Sequence, residues 1–134
     1  MDFDEEAIEG LFLQGAYAFC AFIDQKLAYI KLVAFDEKGK IKIDPWPMKI
    51  DWSSEVCWGL AKTCSSFKRL GLYSCVHAQM SKYLKENGFE KNKFTVKKYN
   101  VPSNKAMSRF QPKIIADGHR IKILFWHFRM TINR

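Results

Sequence analysis

Between Phe67 and Ser74 the chain reads FKRLGLYS, and these residue types at this spacing could hold phosphate groups. Gly71 stands where an amphipathic helix begins, and the first backbone N–H groups of a helix have no partner within it. They carry partial positive charge from the aligned peptide dipoles, and Lys68 and Arg69 add full charges beside them. Glycine has no Cβ, so the backbone at Gly71 can come close to an anion. A second helix start follows in Asn100-Val101-Pro102-Ser103. Proline suits a first helical turn, and the Ser103 hydroxyl is placed to meet N–H groups. The chemistry implied is capture of a phosphorylated molecule by helix N-termini.

Other side chains could do chemistry as well. Glu55 opens the apolar run EVCWGLAKT that leads to the turn, and Asp51 and Asp44 precede it. Cys20, Cys57, Cys64 and Cys75 show no C-x-x-C spacing and no nearby histidine completes a metal pattern, so four reduced core thiols are expected and no metal. Cys64 lacks a visible base, which a nucleophilic thiol needs. His77 falls inside a helical pattern and reads as a partly buried packing residue. His119 and His127 belong to a final hairpin and have no visible partner.

The elements that must position these residues follow from periodicity. Residues 5–15 could form a short helix with Ile8, Leu11 and Phe12 on one face and Gly15 as its stop. The run from Ala16 to Ala34 is divided by Asp24-Gln25, which predicts antiparallel strands over 16–23 and 27–35. Asp36–Gly39 reads as a turn by composition, and Lys40–Ile43 alternates like a half-buried strand that Pro45 and Pro47 close. Residues 55–63 read as a central strand. Leu72, Val76, Met80, Tyr83 and Leu84 recur at helical spacing over 72–87, with Gly88 as the stop. Phe94–Tyr99 alternates as a strand does. Pro112 is expected to close the helix begun at Pro102. Lys113–Ile115, a turn at Asp117-Gly118, and Arg120–Met130 complete a hairpin. The fold class is mixed α+β: an antiparallel meander, a strand–helix–strand–helix stretch and a hairpin. The 55–63, 72–87 and 94–99 unit should be a right-handed crossover with parallel strands. Ligands of such units lie near the carboxyl ends of the strands, which puts Thr63, the turn and Asn100 along one edge.

Bulk properties narrow the class. At 134 residues, 48% hydrophobic and 27% charged, the chain predicts a single globular domain over 1–134. Aromatics at 15% imply a core built partly on Phe, Tyr and Trp. No apolar run approaches the roughly 20 residues of a membrane span. The acidic start MDFDEEAIEG lacks the basic-then-apolar pattern of a signal peptide, so a cytoplasmic location is expected. The formal charge of +8 favours anionic partners. Aromatics interleave with lysine around 91–99 and 120–129, a nucleic-acid-like pattern, but a phosphate-rich cofactor accounts for part of the charge without DNA or RNA.

The ordered combination resembles the GNAT N-acyltransferase (N-acetyltransferase) superfamily. Its acyl-CoA turn follows Arg/Gln-x-x-Gly-x-Gly/Ala, matched here by Lys68, Arg69, Leu70, Gly71, Leu72 and Tyr73, followed by Ser74. Lys68 takes the Arg/Gln place and Tyr73 replaces the second small residue. KYLKENGFEKNKFTVKKYN matches the following helix and strand, which in the family ends in Asn with Ser or Ala three residues on, here Asn100 and Ser103. The likeness spans roughly residues 16–130. It implies a mostly antiparallel, twisted sheet with a shortened N-terminal region, acetyl-CoA as acyl donor and an amine on a small molecule or protein as acceptor. By the same likeness the backbone N–H of Thr63 polarises the thioester carbonyl, an oxyanion-type contact of about 3–4 kcal/mol when one donor is removed. The family commonly uses a Glu or Asp on the central strand, often through water, to take the amine proton, which makes Glu55 the best candidate for a catalytic base, with Asp51 and Asp44 as weaker alternatives. The family's proton-donating Tyr, seven residues after the Asn, is Met107 here, and the following Gly-Phe is Gln111-Pro112. The departing thiolate then takes its proton from water, Tyr73 or Tyr99. An inactive CoA-binding module and a basic nucleic-acid-binding protein remain alternatives. The acceptor and a homodimer stay open at this point.

Overall fold

The computed structural model describes residues 5–13, 15–123 and 126–133. Its contacts cluster into two units, residues 1–95 and 96–134. In chain order the first unit holds α1 (Glu5–Leu13), β1 (Tyr17–Ile23), β2 (Lys26–Ala34), α2 (Glu37–Ile43), β3 (Glu55–Thr63), a short 3-10 turn (Ser65–Phe67), α3 (Leu72–Glu86) and β4 (Lys91–Lys93). The second holds α4 (Val101–Ser108), β5 (Ala116–Ile123) and β6 (Trp126–Asn133). The mixed α+β class expected from the sequence is what the chain adopts.

β1 to β4 form one sheet in chain order: β1–β2 and β2–β3 are antiparallel, and β3–β4 is parallel. Asp24 and Gln25 both take positive φ (48° and 63°), the two-residue turn whose twist matches that of the strands it joins. β2 is buried from Ala28 to Ala34 because both sheet faces are covered. On one face Ile30 and Leu32 pack with Ala18 and Ile43, and Ala34 and Cys57 pack with Ile43 and Ile50, so α2 lies there. On the other face Phe19 meets Tyr83 at 5.5 Å and Tyr29 meets Tyr73 at 6.4 Å, so α3 lies there. In α3, Val76, Met80 and Leu84 of the expected stripe are buried together with His77, while Tyr83 remains exposed. α3 ends at Asn87-Gly88, where Gly88 takes φ +85°, Phe89 N–H donates to Leu84 O and Gly88 N–H to Lys85 O. The expected apolar face of Ile8 and Leu11 lies outside the described side chains.

Three expectations are corrected. Residues 37–43 are a helix, not a turn and strand, because Asp36 caps it by accepting the Gly39 N–H at 2.7 Å. At its other end the buried Lys40 ammonium donates to the carbonyls of Asp44 and Trp46, groups that a strand reading leaves without a donor. The strand expected over 94–99 is only Lys91–Lys93, paired with Glu55–Cys57. Alternation alone does not make a strand without a neighbour to pair with, and the ladder stops just before β3 bulges. Two β3 residues, Gly59 and Leu60, face the single Leu32 of β2 between the pairs Trp58–Val33 and Ala61–Lys31. Finally, Asp117-Gly118 is not a turn. Both lie inside β5, paired with Ile132 and Thr131, and Asp117 forms an ion pair with Lys98 at 3.1 Å. The long ladder outweighs the local turn preference. α4 likewise ends at Ser108, ahead of Pro112.

Of the four cysteines, none forms a disulfide. Only Cys57 is fully buried, whereas Cys20 and Cys75 are exposed, which corrects the reading of four core thiols. Among the described residues no helix is long and apolar enough to cross a membrane.

The segment after α1 packs closely on α2 at Gly39. A Cβ on Gly39 would stand 2.6 Å from the Gly15 carbonyl oxygen and 3.3 Å from the Ala34 Cβ, whereas one on Gly10 would meet nothing within 4 Å. Gly39→Ala is therefore expected to lower unfolding stability by about 2 kcal/mol through overpacking, while Gly10→Ala leaves it equal or raises it by up to about 1 kcal/mol through helix propensity. Urea unfolding of the two variants beside the wild type checks this pair.

Candidate active site

β3 delivers the chain to the phosphate-type turn. After Thr63, Cys64 N–H donates to Ala28 O at 2.8 Å and so faces β2. Successive residues of a strand alternate, so the preceding N–H, that of Thr63, faces the opposite side. Among the described residues no strand pairs with Gly59–Thr63 on that side. A 3-10 turn then leads to Lys68, and Arg69 and Gly71 both adopt left-handed backbone (φ +64° and +72°). A non-glycine residue there costs about 1–3 kcal/mol and marks sites where surrounding structure fixes the chain. Arg69 is thus held in a strained turn, which its sequence context did not indicate.

Gly71 is the N-cap of α3 and contributes no side-chain cap bond, and a Cβ added to it would meet nothing within 4 Å. The cradle above the helix start is open space. Lys68, Arg69, Leu70 and Ser74 are exposed around it, and Leu72 is half-buried. Tyr73, which replaces the expected small residue, does not fill the cradle. Its ring stacks on His77 at 4.2 Å and meets Tyr29 edge-on, so its bulk lies on the sheet side of the helix. In one turn, then, the chain brings together Thr63, Lys68, Arg69, Gly71 and the start of α3.

Behind the turn lies a buried cluster. The Tyr29 hydroxyl is 3.3 Å from His77 Nε2, and the Trp58 ring meets His77 edge-on at 5.1 Å. His77, expected to be partly buried, is 1% exposed, and burial first, then the charge of Lys31, lowers its pKa to about 4. Burial also raises the Tyr29 pKa. Lys31, 4% exposed, donates from Nζ to Gly59 O at 3.1 Å and lies 5.1 Å from the centroid of the Trp58 ring. Desolvation lowers its pKa to about 8. Sequence reasoning passed over Lys31, although one charge inside the apolar run LAYIKLVAF is a visible signal.

Glu55 lies elsewhere. It opens β3 eight positions before Thr63, roughly 26 Å away at the rise of an extended strand. Its carboxylate binds the Lys93 ammonium at 2.8 Å and accepts the Asp51 N–H at 3.0 Å. The Lys93 contact first, then the Asp51 N–H, lowers its pKa, which makes it a poorer base. Asp51 accepts from the hydroxyl and N–H of Ser53. Asp44 is buried and accepts from Trp46 N–H and the Thr95 hydroxyl. These carboxylates build the loop before β3. In the second unit Asn100 caps α4 by accepting the Ser103 N–H at 3.3 Å, so the cap is the Asn100 side chain and not the Ser103 hydroxyl. Met107 is buried on α4, and Tyr99 is exposed. Among the described residues no group of three His, Cys, Asp or Glu could hold a metal ion.

Solved structures share this fold. The chain superposes on an aminoglycoside acetyltransferase, meta-AAC0020 from an uncultured soil metagenomic sample, in complex with trehalose. The TM-score is 0.59 and the identity 13%, over 92% of this chain and 72% of that one. Against aminoglycoside N-acetyltransferase AAC(6′)-Iy in complex with CoA, the TM-score is 0.58 and the identity 15%, over 91% and 90% of the two chains. The same enzyme with a CoA-based bisubstrate analogue gives 0.57 and 14%, over 88% and 73%. The chain has the GNAT acyltransferase fold. No protein-family model and no curated protein matches its sequence.

The depressed His77 pKa has a consequence for stability. Folded His77 refuses a proton that the unfolded chain accepts below its ordinary value of 6.5, so stability is lost as pH falls from 6.5 toward 4. Urea midpoints measured between pH 7 and pH 5 are expected to fall in the wild type, and His77→Gln flattens that slope. An unchanged slope in the variant removes His77 as its source.

Proposed function

We propose that this chain is an acetyl-CoA-dependent N-acetyltransferase that moves the acetyl group directly to a primary amine in a ternary complex. The observation that carries this reading is the open N-terminus of α3 at Gly71, left-handed and flanked by exposed Lys68 and Arg69. A pyrophosphate fits such a place because backbone N–H groups and the helix dipole favour an anion there. The GNAT fold supports the same reading, as does the CoA named in the complexes of two structural neighbours.

In this mechanism the N–H of Thr63 donates to the thioester carbonyl oxygen and stabilises the negative charge that grows on it. The amine nitrogen attacks the carbonyl carbon, the N–C bond forms, and the tetrahedral intermediate collapses with cleavage of the C–S bond. The electron pair leaves with sulfur, and the CoA thiolate takes a proton from water. The amine's proton also passes to water, since Glu55 is remote from Thr63 and committed to Lys93. Binding and carbonyl polarisation, not a dedicated base, then supply most of the acceleration.

The structural neighbours are aminoglycoside acetyltransferases, and aminoglycosides are polycations. A chain of formal charge +8 repels such a substrate at long range, so the acceptor proposed here is a neutral or anionic amine, on a small molecule or a protein. A second reading, a CoA-binding module without transferase activity, is favoured by Met107 at the family's tyrosine position and by the absence of a base from the carboxylates at the start of β3.

Isothermal titration with acetyl-CoA tests the binding step. The wild type is expected to bind, Gly71→Glu to lose binding through added negative charge, and Gly71→Asn to retain it, because Asn tolerates left-handed backbone. Replacing Lys68 and Arg69 together by Ala should weaken binding about tenfold and reduce its salt dependence. Retained binding in Gly71→Glu removes the cofactor from this turn. Release of free CoA thiol with a panel of amines then separates an enzyme from an inactive binder.

A further inference from the structure

Lys31 is the one charge in the buried stretch Ala28–Ala34. Among the described residues it makes no ion pair. Burying an ammonium without a carboxylate is costly, and such groups persist where their hydrogen bonds do something specific. The acceptor of Lys31 is informative. It is the carbonyl of Gly59, one of the two residues that form the bulge of β3. A bulge leaves backbone groups outside the ladder and bends its strand, and the part-buried Gly59 carbonyl takes its donor from Lys31. Gly59 cannot readily carry a side chain, since a Cβ there would stand 2.9 Å from the Ile43 Cβ. One side of the bulge is therefore set by α2 packing and the other by the Lys31 ammonium, which also lies over the Trp58 ring.

We propose that Lys31 is a positioning residue of the acyl-CoA site: by tethering Gly59 O it fixes the bend of β3, and that bend sets where the Thr63 N–H and the Lys68–Gly71 turn present themselves to the thioester and pyrophosphate. This rests on the acyl-CoA reading above. The tether acts through geometry alone, because Lys31 is buried and touches neither the thioester nor the phosphates. It carries its full charge only below about pH 8, where a charge-assisted bond to the carbonyl and a cation–π contact are both available. The titratable groups around it do not mask that transition. Cys57 of β3 is pushed up to about 12 by burial, His77 of α3 titrates near 4, and burial raises Tyr29 of β2. On β1 its register partner is Phe19, and the titratable Tyr17 lies two residues along on the same face, opposite Val33.

The test uses wild type and Lys31→Met, a neutral side chain of similar length, with amide hydrogen exchange of the ligand-free proteins and acetyl-CoA titration at pH 7 and pH 9. The expected result is faster exchange at Gly59–Cys64 in Lys31→Met and acetyl-CoA binding about tenfold weaker at pH 7. Wild-type affinity should also weaken from pH 7 to pH 9 while that of the variant stays flat. A purely structural lysine would change unfolding stability and leave the affinity of the folded variant alone. Unchanged exchange, unchanged affinity, or the same pH dependence in both proteins overturns the proposal. Should Lys31→Met not fold, the wild-type pH titration decides it, and constant affinity from pH 7 to pH 9 overturns it. If the wild type binds no acetyl-CoA, the acyl-CoA reading fails and the positioning role fails with it, while the exchange measurement still reports whether the tether exists.

Discussion

One constraint governs the first unit: β3 changes partners along its length, beginning beside β4 and ending beside β2. Glu55 and Val56 pair with β4, Cys57 pairs with both β4 and β2, and from Trp58 onward only β2 remains among the described residues. A strand with a free flank exposes alternate N–H and C=O groups, which is costly in a core and useful at a binding site. The bulge at Gly59–Leu60 follows directly on this change. Ile43 of α2 forbids a side chain at Gly59, and Lys31 of β2 satisfies its carbonyl. The direction of Thr63, the strained Arg69 and the open start of α3 all follow downstream of that bend.

The buried charges of this unit are matched in a consistent way. Lys40 is held by two backbone carbonyls, Lys31 by one carbonyl and an indole face, and Asp44 by a backbone N–H and a hydroxyl. Only Glu55 takes a fully charged partner, Lys93. Carbonyl and hydroxyl partners satisfy a buried charge without adding a second ion to desolvate. They also leave the cationic character of the chain intact. The carboxylate that looked most like a base is the one most fully spent on structure.

Lysines that looked alike in the sequence therefore do different work. Lys40 closes a helix, Lys93 locks the start of β3, and Lys31 holds a bulge, whereas Lys68 and Arg69 stay in solvent beside the cradle. Position on the sheet separates these roles, since a buried ammonium must find an acceptor and an exposed one need not.

The sequence by itself determined what depends on neighbours along the chain. The meander around Asp24-Gln25, β3 over 55–63, α3 with its Gly71 start and Gly88 stop, and the Asn100 helix start all follow from local backbone preference and short-range periodicity, and so did the basic cradle. Tertiary structure decided what depends on partners far away. Lys40–Ile43 alternates like a strand yet is a helix, because Asp36 and the buried Lys40 satisfy its ends. Phe94–Tyr99 alternates too, but a ladder needs a neighbour and β3 bends away. Glu55 was rightly placed on the strand, but it stands at the opposite end from Thr63, because a spacing of eight residues becomes a length only once the chain is extended. Lys31 gains a role only when β2 lies beside the Gly59 carbonyl, a meeting across 28 residues that no local pattern encodes.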